Sequence, residues 1–180
     1  MRWQPALRFL PAYHDAPAYI EALAQDVRAQ MAALDFKPDL LLASFHGVPR
    51  ATLDKGDPYH CHCHKTARLL REALGMDQTQ FRLTFQSRFG RAQWLEPYTD
   101  VTLNGLPSEG VRKIAVISPG FSADCLETLE EIAIGGKETF LHAGGTHYAY
   151  LPCLNARPVG VEMLKALLRP ELSGWVDVPA

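Results

Sequence analysis

The chain has 180 residues, with 18 basic and 20 acidic side chains and a formal net charge of −2. One globular domain is the default at this length, and such a chain buries roughly 70% of its extended surface without help from disulfides or metal. A hydrophobic content of 47% against 21% charged residues excludes a disordered chain, and the slightly acidic balance argues against nucleic acid as a partner. No apolar run approaches the ~18 residues of a transmembrane helix. The start, Met1-Arg2-Trp3-Gln4-Pro5, lacks the apolar core of a signal peptide, so the expected location is the cytoplasm. The four cysteines are then expected as reduced thiols or ligands.

From Asp15 to Leu34 apolar residues recur at helical spacing (Ile20, Leu23, Ala24, Val27, Met31), which predicts an amphipathic helix. Pro38 stops it, and the continuous run Leu40 to Phe45 reads as a strand buried on both faces. Asp57-Pro58 reads as a cap with proline at the first helical position, opening a helix to Leu74 that ends at Gly75. Phe81 to Phe85 predicts a second strand, and Pro97 to about Gly105 a short helix. Ile114 to Ile117 predicts a third strand, after which Ser122 or Asp124 caps a helix through Leu129. Tyr148 to Leu154 reads as a fourth strand and Pro158 to Leu168 as the last helix. This alternation predicts a single α/β domain over 1–180 with a doubly wound, mostly parallel sheet. Ligands in such sheets bind at the carboxyl ends of the strands, so chemistry is expected after Phe45, Phe85 and Ile117.

His46 follows the first strand and is held by the Gly47-Val48-Pro49 turn. It reads either as a loop histidine bonding a carbonyl or as a metal ligand and proton acceptor. After the third strand, Asp124, Glu127 and Glu131 have the spacing of one helix face. They read either as an acidic helix start in solvent or as a track for divalent cations and protons, with raised carboxyl pKa values. After the second strand, Gln86, Ser87 and Arg88 precede Trp94, a loop suited to a flat, partly anionic ligand or simply to packing.

The run His60-Cys61-His62-Cys63-His64 invites a metal site. Residues two apart on a helix point ~200° apart, so Cys61 and Cys63 cannot share an ion, whereas His60 and His64 can. Cys125 and Cys153 lie in apolar surroundings and read as buried thiols. His142 and His147 flank a Gly-Gly loop with no role favoured over exposure.

These segments together resemble the ferrochelatase family. The resemblance runs from Leu41 through His46 to Pro49, then Asp54 to Tyr59, with Tyr59, Cys63 and Thr66 as a helix start. It continues in Gln86-Ser87-Arg88-Phe89-Gly90, Trp94-Leu95-x-Pro97 and Pro119 to Glu131. The matches follow the family's order and are most similar to proteobacterial members. They resemble only the carboxyl half of a two-domain chelatase, which implies that an amino half supplying part of the porphyrin cleft is absent.

The resemblance implies insertion of ferrous iron into a porphyrin, with His46 as proton acceptor or metal ligand and Glu127 as its partner across the cleft. Asp124 and Glu131 are then relay groups, and Gln86, Ser87, Arg88 and Trp94 are porphyrin-cleft candidates. Imidazole suits ferrous iron and carboxylates suit a weakly held hard cation. Porphyrin and ferrous iron are implied as substrates, with no tightly bound cofactor. Some members carry an iron–sulfur cluster on cysteines near the carboxyl end, but the tail from Pro170 to Ala180 has no cysteine, so a cluster is not expected. Peripheral membrane contact is common in the family, and nothing in this sequence resembles a dedicated anchor. A lost half is also expected to leave an apolar face that favours self-association. Two alternatives stay open: a cobalt chelatase acting on another tetrapyrrole, and a non-catalytic metal- or porphyrin-binding remnant.

Overall fold

The computed structural model describes residues 3–176. Met1 and Arg2, read at the start for a signal-peptide core, and residues 177–180 of the cysteine-free tail lie outside the described residues. Four strands, β1 (Leu40–His46), β2 (Phe81–Gln86), β3 (Lys113–Ile117) and β4 (His147–Tyr150), form one sheet in the order β2-β1-β3-β4. Every pairing is parallel, with Ser44 opposite Thr84, His46 opposite Gln86, and Leu42 opposite Val116. The expected doubly wound α/β sheet is therefore what the chain forms.

Both faces of β1 are covered because its side chains alternate between two cores. Leu41, Ala43 and Phe45 pack with Tyr19, Leu23, Ala67, Leu70 and Met163, beneath helices α1 (Pro17–Ala32), α3 (Tyr59–Leu74) and α7 (Pro158–Leu168). Leu40 and Leu42 pack with Leu103, Ile132 and Phe140 on the other face, beneath α4 (Thr99–Gly105) and α6 (Lys137–His142). Each leucine so buried contributes roughly 1.5–3 kcal/mol relative to exposure. A short α2 (Arg50–Asp54) precedes α3.

The boundaries follow local chemistry. Helix α3 starts one residue after the expected proline, and the Asp57 carboxylate accepts the Tyr59 N–H at 2.8 Å. It ends at Gly75, whose left-handed backbone (φ 69°) frees its N–H for the Glu72 carbonyl. Strand β4 is shorter than the expected 148–154. It ends at Tyr150, and the loop that follows keeps Leu151, Cys153 and Leu154 buried while Pro152 is exposed. The expected helix after β3 is capped by Cys125 rather than by Ser122 or Asp124, and it does not stop at Leu129. It runs as α5 (Leu126–Thr128), a π-helical turn (Leu129–Gly136) and then α6.

The π turn has an identifiable cause. The Tyr148 hydroxyl donates to the Ile132 carbonyl at 2.6 Å, occupying an acceptor that α-helical bonding would claim. A Cβ at Gly136 would come within 2.7 Å of that tyrosine oxygen, so only glycine lets the ring reach the backbone.

The chain moves from β1 outward to β2, then crosses β1 to reach β3. The winding direction therefore switches between β1 and β3, and the carboxyl ends of those two strands flank the crevice. Residues 46–49 and 118–127 lie there. No helix among the described residues is long and apolar enough to cross a membrane.

Candidate functional site

His46 is the last residue of β1 and shares the face of Ser44, toward α4 and the π turn. Its Nδ1 lies 2.6 Å from the Gly47 carbonyl, which can only accept, so Nδ1 is a donor there and Nε2 is the nitrogen left for another partner. The Tyr59 hydroxyl donates to the His46 carbonyl at 2.9 Å, tying the strand end to α3. The Gly47 N–H donates to the Gln86 carbonyl at 2.8 Å, and a Cβ at Gly47 would stand 2.8 Å from that oxygen. Any side chain at position 47 would push the histidine out of place.

Glu127 is exposed in the first turn of α5. Hydrogen bonds from the Cys125 thiol and its own backbone amide, with the nearby charge of His46, hold its carboxyl below the usual range. The structure thus brings the two sequence-selected residues within electrostatic reach of one another. They arrive from different strand ends of the same crevice.

Asp124 precedes the Cys125 cap, so it is not on the helix face expected to carry three carboxylates. Its Oδ1 accepts the Tyr150 hydroxyl at 2.7 Å, and its Oδ2 accepts the Asn155 amide at 2.7 Å. The Cys153 N–H and the Thr128 hydroxyl lie at 3.3 and 3.1 Å from Oδ1. Partial burial alone would raise its pKa, but these hydrogen bonds outweigh burial and hold the carboxyl low. The expected upward shift is therefore reversed at Asp124 as at Glu127, because donors surround the carboxylates more closely than they approach each other. Glu131, in the π turn, accepts both the N–H and the hydroxyl of Ser87 at 2.6 Å.

Gln86 is 2% exposed. It accepts the Ser44 hydroxyl at 2.8 Å and donates to the Glu127 carbonyl at 2.6 Å. Ser44 also meets Thr99, which donates to Thr84, so a buried polar thread runs from β2 to the backbone of Glu127. Sequence reading missed Ser44, Thr84 and Thr99. The signal was the break in apolar character at the inward positions of two strands. Arg88 pairs with Asp100 at 2.5 Å and lies over the Tyr98 ring, while Trp94 is 6% exposed and donates to the Phe89 carbonyl at 3.0 Å. Gln86 and Trp94 thus make their contacts inside the fold, whereas Ser87 and Arg88 are at the surface.

On α3 the His60 and His64 rings lie 4.3 Å apart beside Phe85, and His62 stacks on His14 at 3.6 Å. Cys61 is exposed and Cys63 buried, so they do not converge. Burial pushes the thiols of Cys63 and Cys153 up to about 12, which makes them inert packing groups. Cys125 is only partly buried. His142 and His147 are exposed. No group of three or more His, Cys, Asp or Glu side chains among the described residues converges to hold a metal ion.

A family model described as ferrochelatase matches residues 1–172. The chain belongs to the ferrochelatase family. It is 57% identical over 176 residues to ferrochelatases from Agrobacterium fabrum and Rhizobium meliloti, and 51% identical to that of Mesorhizobium japonicum. Each match covers 98% of this chain but only 51%, 52% and 50% of the respective relative. The chain thus spans about half the length of the curated relatives it matches. Exposed Trp3, Leu7 and Phe9 form an apolar stretch at the amino end of the described residues, with Phe9 83% exposed.

Proposed function

We propose that this chain is the carboxyl half of a ferrochelatase, which inserts ferrous iron into protoporphyrin IX to form haem. The observation that carries the reading is the placement of His46, its Nδ1 turned to the Gly47 carbonyl, within electrostatic reach of an exposed, ionised Glu127 at the switch point of the sheet. In the reaction two pyrrole N–H bonds break, two protons leave and one ferrous ion takes their place with no change of oxidation state. His46 accepts a pyrrole proton at Nε2. Glu127 holds the entering ion loosely and takes the second proton. A single carboxylate holds an ion weakly, which suits a metal that must leave for the porphyrin. Ferrous iron is a substrate here, and no resident cofactor is needed.

An amino half, the stretch of the relatives beyond this match, completes the porphyrin cleft and covers Trp3, Leu7 and Phe9. Ser87 and Arg88 face the porphyrin from this half, and Gln86 and Trp94 shape their loop from behind. The four free thiols suit the reducing cytoplasm.

The test joins this chain to the amino half of the Agrobacterium fabrum relative and follows anaerobic haem formation. Insertion is expected in the joined protein and not in the 180-residue chain alone. His46→Ala and Glu127→Gln are expected to lower it by about 10²–10⁴, the range of general acid–base catalysis, with circular dichroism unchanged. A folded, porphyrin-binding joined protein without insertion would overturn the reading in favour of a non-catalytic binding domain. Preference for cobalt and another tetrapyrrole would overturn it in favour of a cobalt chelatase.

A further inference from the structure

Among the described residues, only Ser87 (φ 64°) and Asn155 (φ 51°) adopt the left-handed backbone region without being glycine. Each is locked by two side-chain hydrogen bonds to a residue flanking Glu127. Ser87 holds Glu131, and Asn155 holds Asp124. We propose that Asn155 is a positioning residue for Glu127, acting through Asp124. This deepens the function proposed above and rests on the role given there to Glu127.

Asn155 sits in the loop between β4 and α7, far in sequence from the acidic segment, yet it makes three bonds to it. Its N–H donates to the Ser122 carbonyl at 2.9 Å. Its amide nitrogen donates to Asp124 Oδ2 at 2.7 Å, and its amide oxygen accepts the Asp124 N–H at 2.9 Å. A primary amide makes the two bonds from separate atoms, its nitrogen donating to the carboxylate while its oxygen accepts the N–H of the same residue. Glutamine offers the same groups on a longer arm, and asparagine is among the few residues that tolerate the left-handed region. Both requirements meet at position 155.

The held residue fixes the start of the helix. Asp124 is followed directly by the Cys125 cap, and the Cys125 N–H bonds the Thr128 hydroxyl, which also reaches Asp124. Glu127 projects from this single capped turn. Its carbonyl is held from the other side by Gln86. With Asn155 in place the turn can start at only one residue. Without the Asn155 side chain, Asp124 keeps the Oδ1 bonds from Tyr150, Cys153 and Thr128 but loses the two that fix its Oδ2 and its N–H. Both Asp124 oxygens are already occupied by donors, so Asp124 serves as a tie and not as a proton carrier.

Three variants test this: Asn155→Gly, which keeps the backbone region but drops the amide; Asn155→Asp, which keeps the shape but cannot donate when ionised; and the swap Asp124→Asn with Asn155→Asp. The swap restores both bonds with the carboxylate and amide exchanged, so it carries the test if a single variant fails to fold. Backbone NMR shifts of the 180-residue chain read the conformation of residues 124–128. In both single variants they are expected to move toward unstructured values, and in the swap to return. In the joined protein, kcat for iron insertion is expected to fall on the order of 10²-fold, the cost of misplacing a reacting group by about 1 Å, with KM for porphyrin unchanged. The swap should recover insertion to within a few-fold. Unshifted backbone resonances at residues 124–128 with kcat within twofold of the parent would overturn the proposal. Loss of kcat that the swap does not rescue would overturn it equally. Insertion untouched by Glu127→Gln would instead sink the underlying function reading, whatever Asn155 does.

Discussion

Two polar stripes lie near the carboxyl ends of the strands, the carboxylates of 124–131 and the histidines of 60–64. In the acidic stripe Asp124 accepts from Tyr150, Asn155, Thr128 and the Cys153 backbone, and Glu131 accepts from Ser87 twice. The histidine stripe has ring contacts instead: His60 against His64 and Phe85, His62 against His14. Hydrogen bonds fix direction, whereas ring packing fixes only proximity. The acidic stripe consequently fixes the segment that carries Glu127, while the histidine stripe covers the edge of the core. Composition alone cannot separate these cases, because both offer metal-ligating residue types at helical spacing.

The widest separation between the stripes should appear in stability. Asp124→Ala leaves the partly buried donors of Tyr150 and Cys153, and the exposed Asn155 amide, without their acceptor, at an expected cost of about 1–3 kcal/mol. The double variant His60→Ala with His64→Ala strands no hydrogen-bonding group and should cost less than about 1 kcal/mol. Urea unfolding with unchanged m-values measures both. Equal costs would mean that the histidine packing is as structural as the carboxylate ties.

Acid should separate the stripes in pH. Burial, then the charge of a neighbouring histidine, lowers His14 and His64. Their folded pKa values lie under the unfolded one, so the unfolded state binds protons first. Stability is fully present above the imidazole value of about 6.5 and declines as pH falls below it. Hydrogen bonds depress Asp124 and Glu127, so their contribution is present above the ordinary carboxylate range of about 4 and is lost only below it. Hydrogen exchange is expected to rise in α3 between about pH 6.5 and 5, while residues 122–131 stay protected until below about pH 4. Simultaneous loosening would show that the two stripes unfold as one unit.

What the sequence revealed of this contrast depended on range. The buried run Leu40 to Phe45, the Gly75 cap and the Pro158 helix start are local signals, and each element forms where they stand. His46 and Glu127 were legible because a strand end and the residues after it fix their place in a parallel sheet. The sign of the carboxyl shifts was not legible. The Asp124 donors Tyr150 and Asn155 lie 26 and 31 residues away, whereas the like charges are neighbours, and at Glu127 the spacing does not show that the nearby Cys125 thiol turns toward the carboxylate. The π turn was hidden for the same reason, since Leu129 and Ile132 fit a 3.6-residue period and Tyr148 is 16 residues beyond Ile132. Leu151 to Leu154 read as strand because a buried loop and a strand bury the same residue types.

The smallest expected effect sharpens the comparison at the other end of the acidic stripe. Ser87 combines a strained backbone (φ 64°) with two bonds to the Glu131 carboxylate, one from its N–H and one from its hydroxyl. Ser87→Ala keeps the strain and the N–H bond but drops the hydroxyl bond, so it should destabilise by about 1 kcal/mol, reduced by the exposure of Glu131. Ser87→Gly drops the same hydroxyl but relaxes the backbone, which returns roughly 1 kcal/mol in this region while adding freedom to the unfolded chain. Its net change should fall within about 0.5 kcal/mol of zero. Urea midpoints of the two variants at pH 7 give the balance, since their difference is the relieved left-handed strain less the entropy that glycine adds to the unfolded chain. If glycine proves as damaging as alanine, the strain at Ser87 is not what the hydroxyl bond offsets. The tie to Glu131 would then differ in kind from the one Asn155 makes to Asp124.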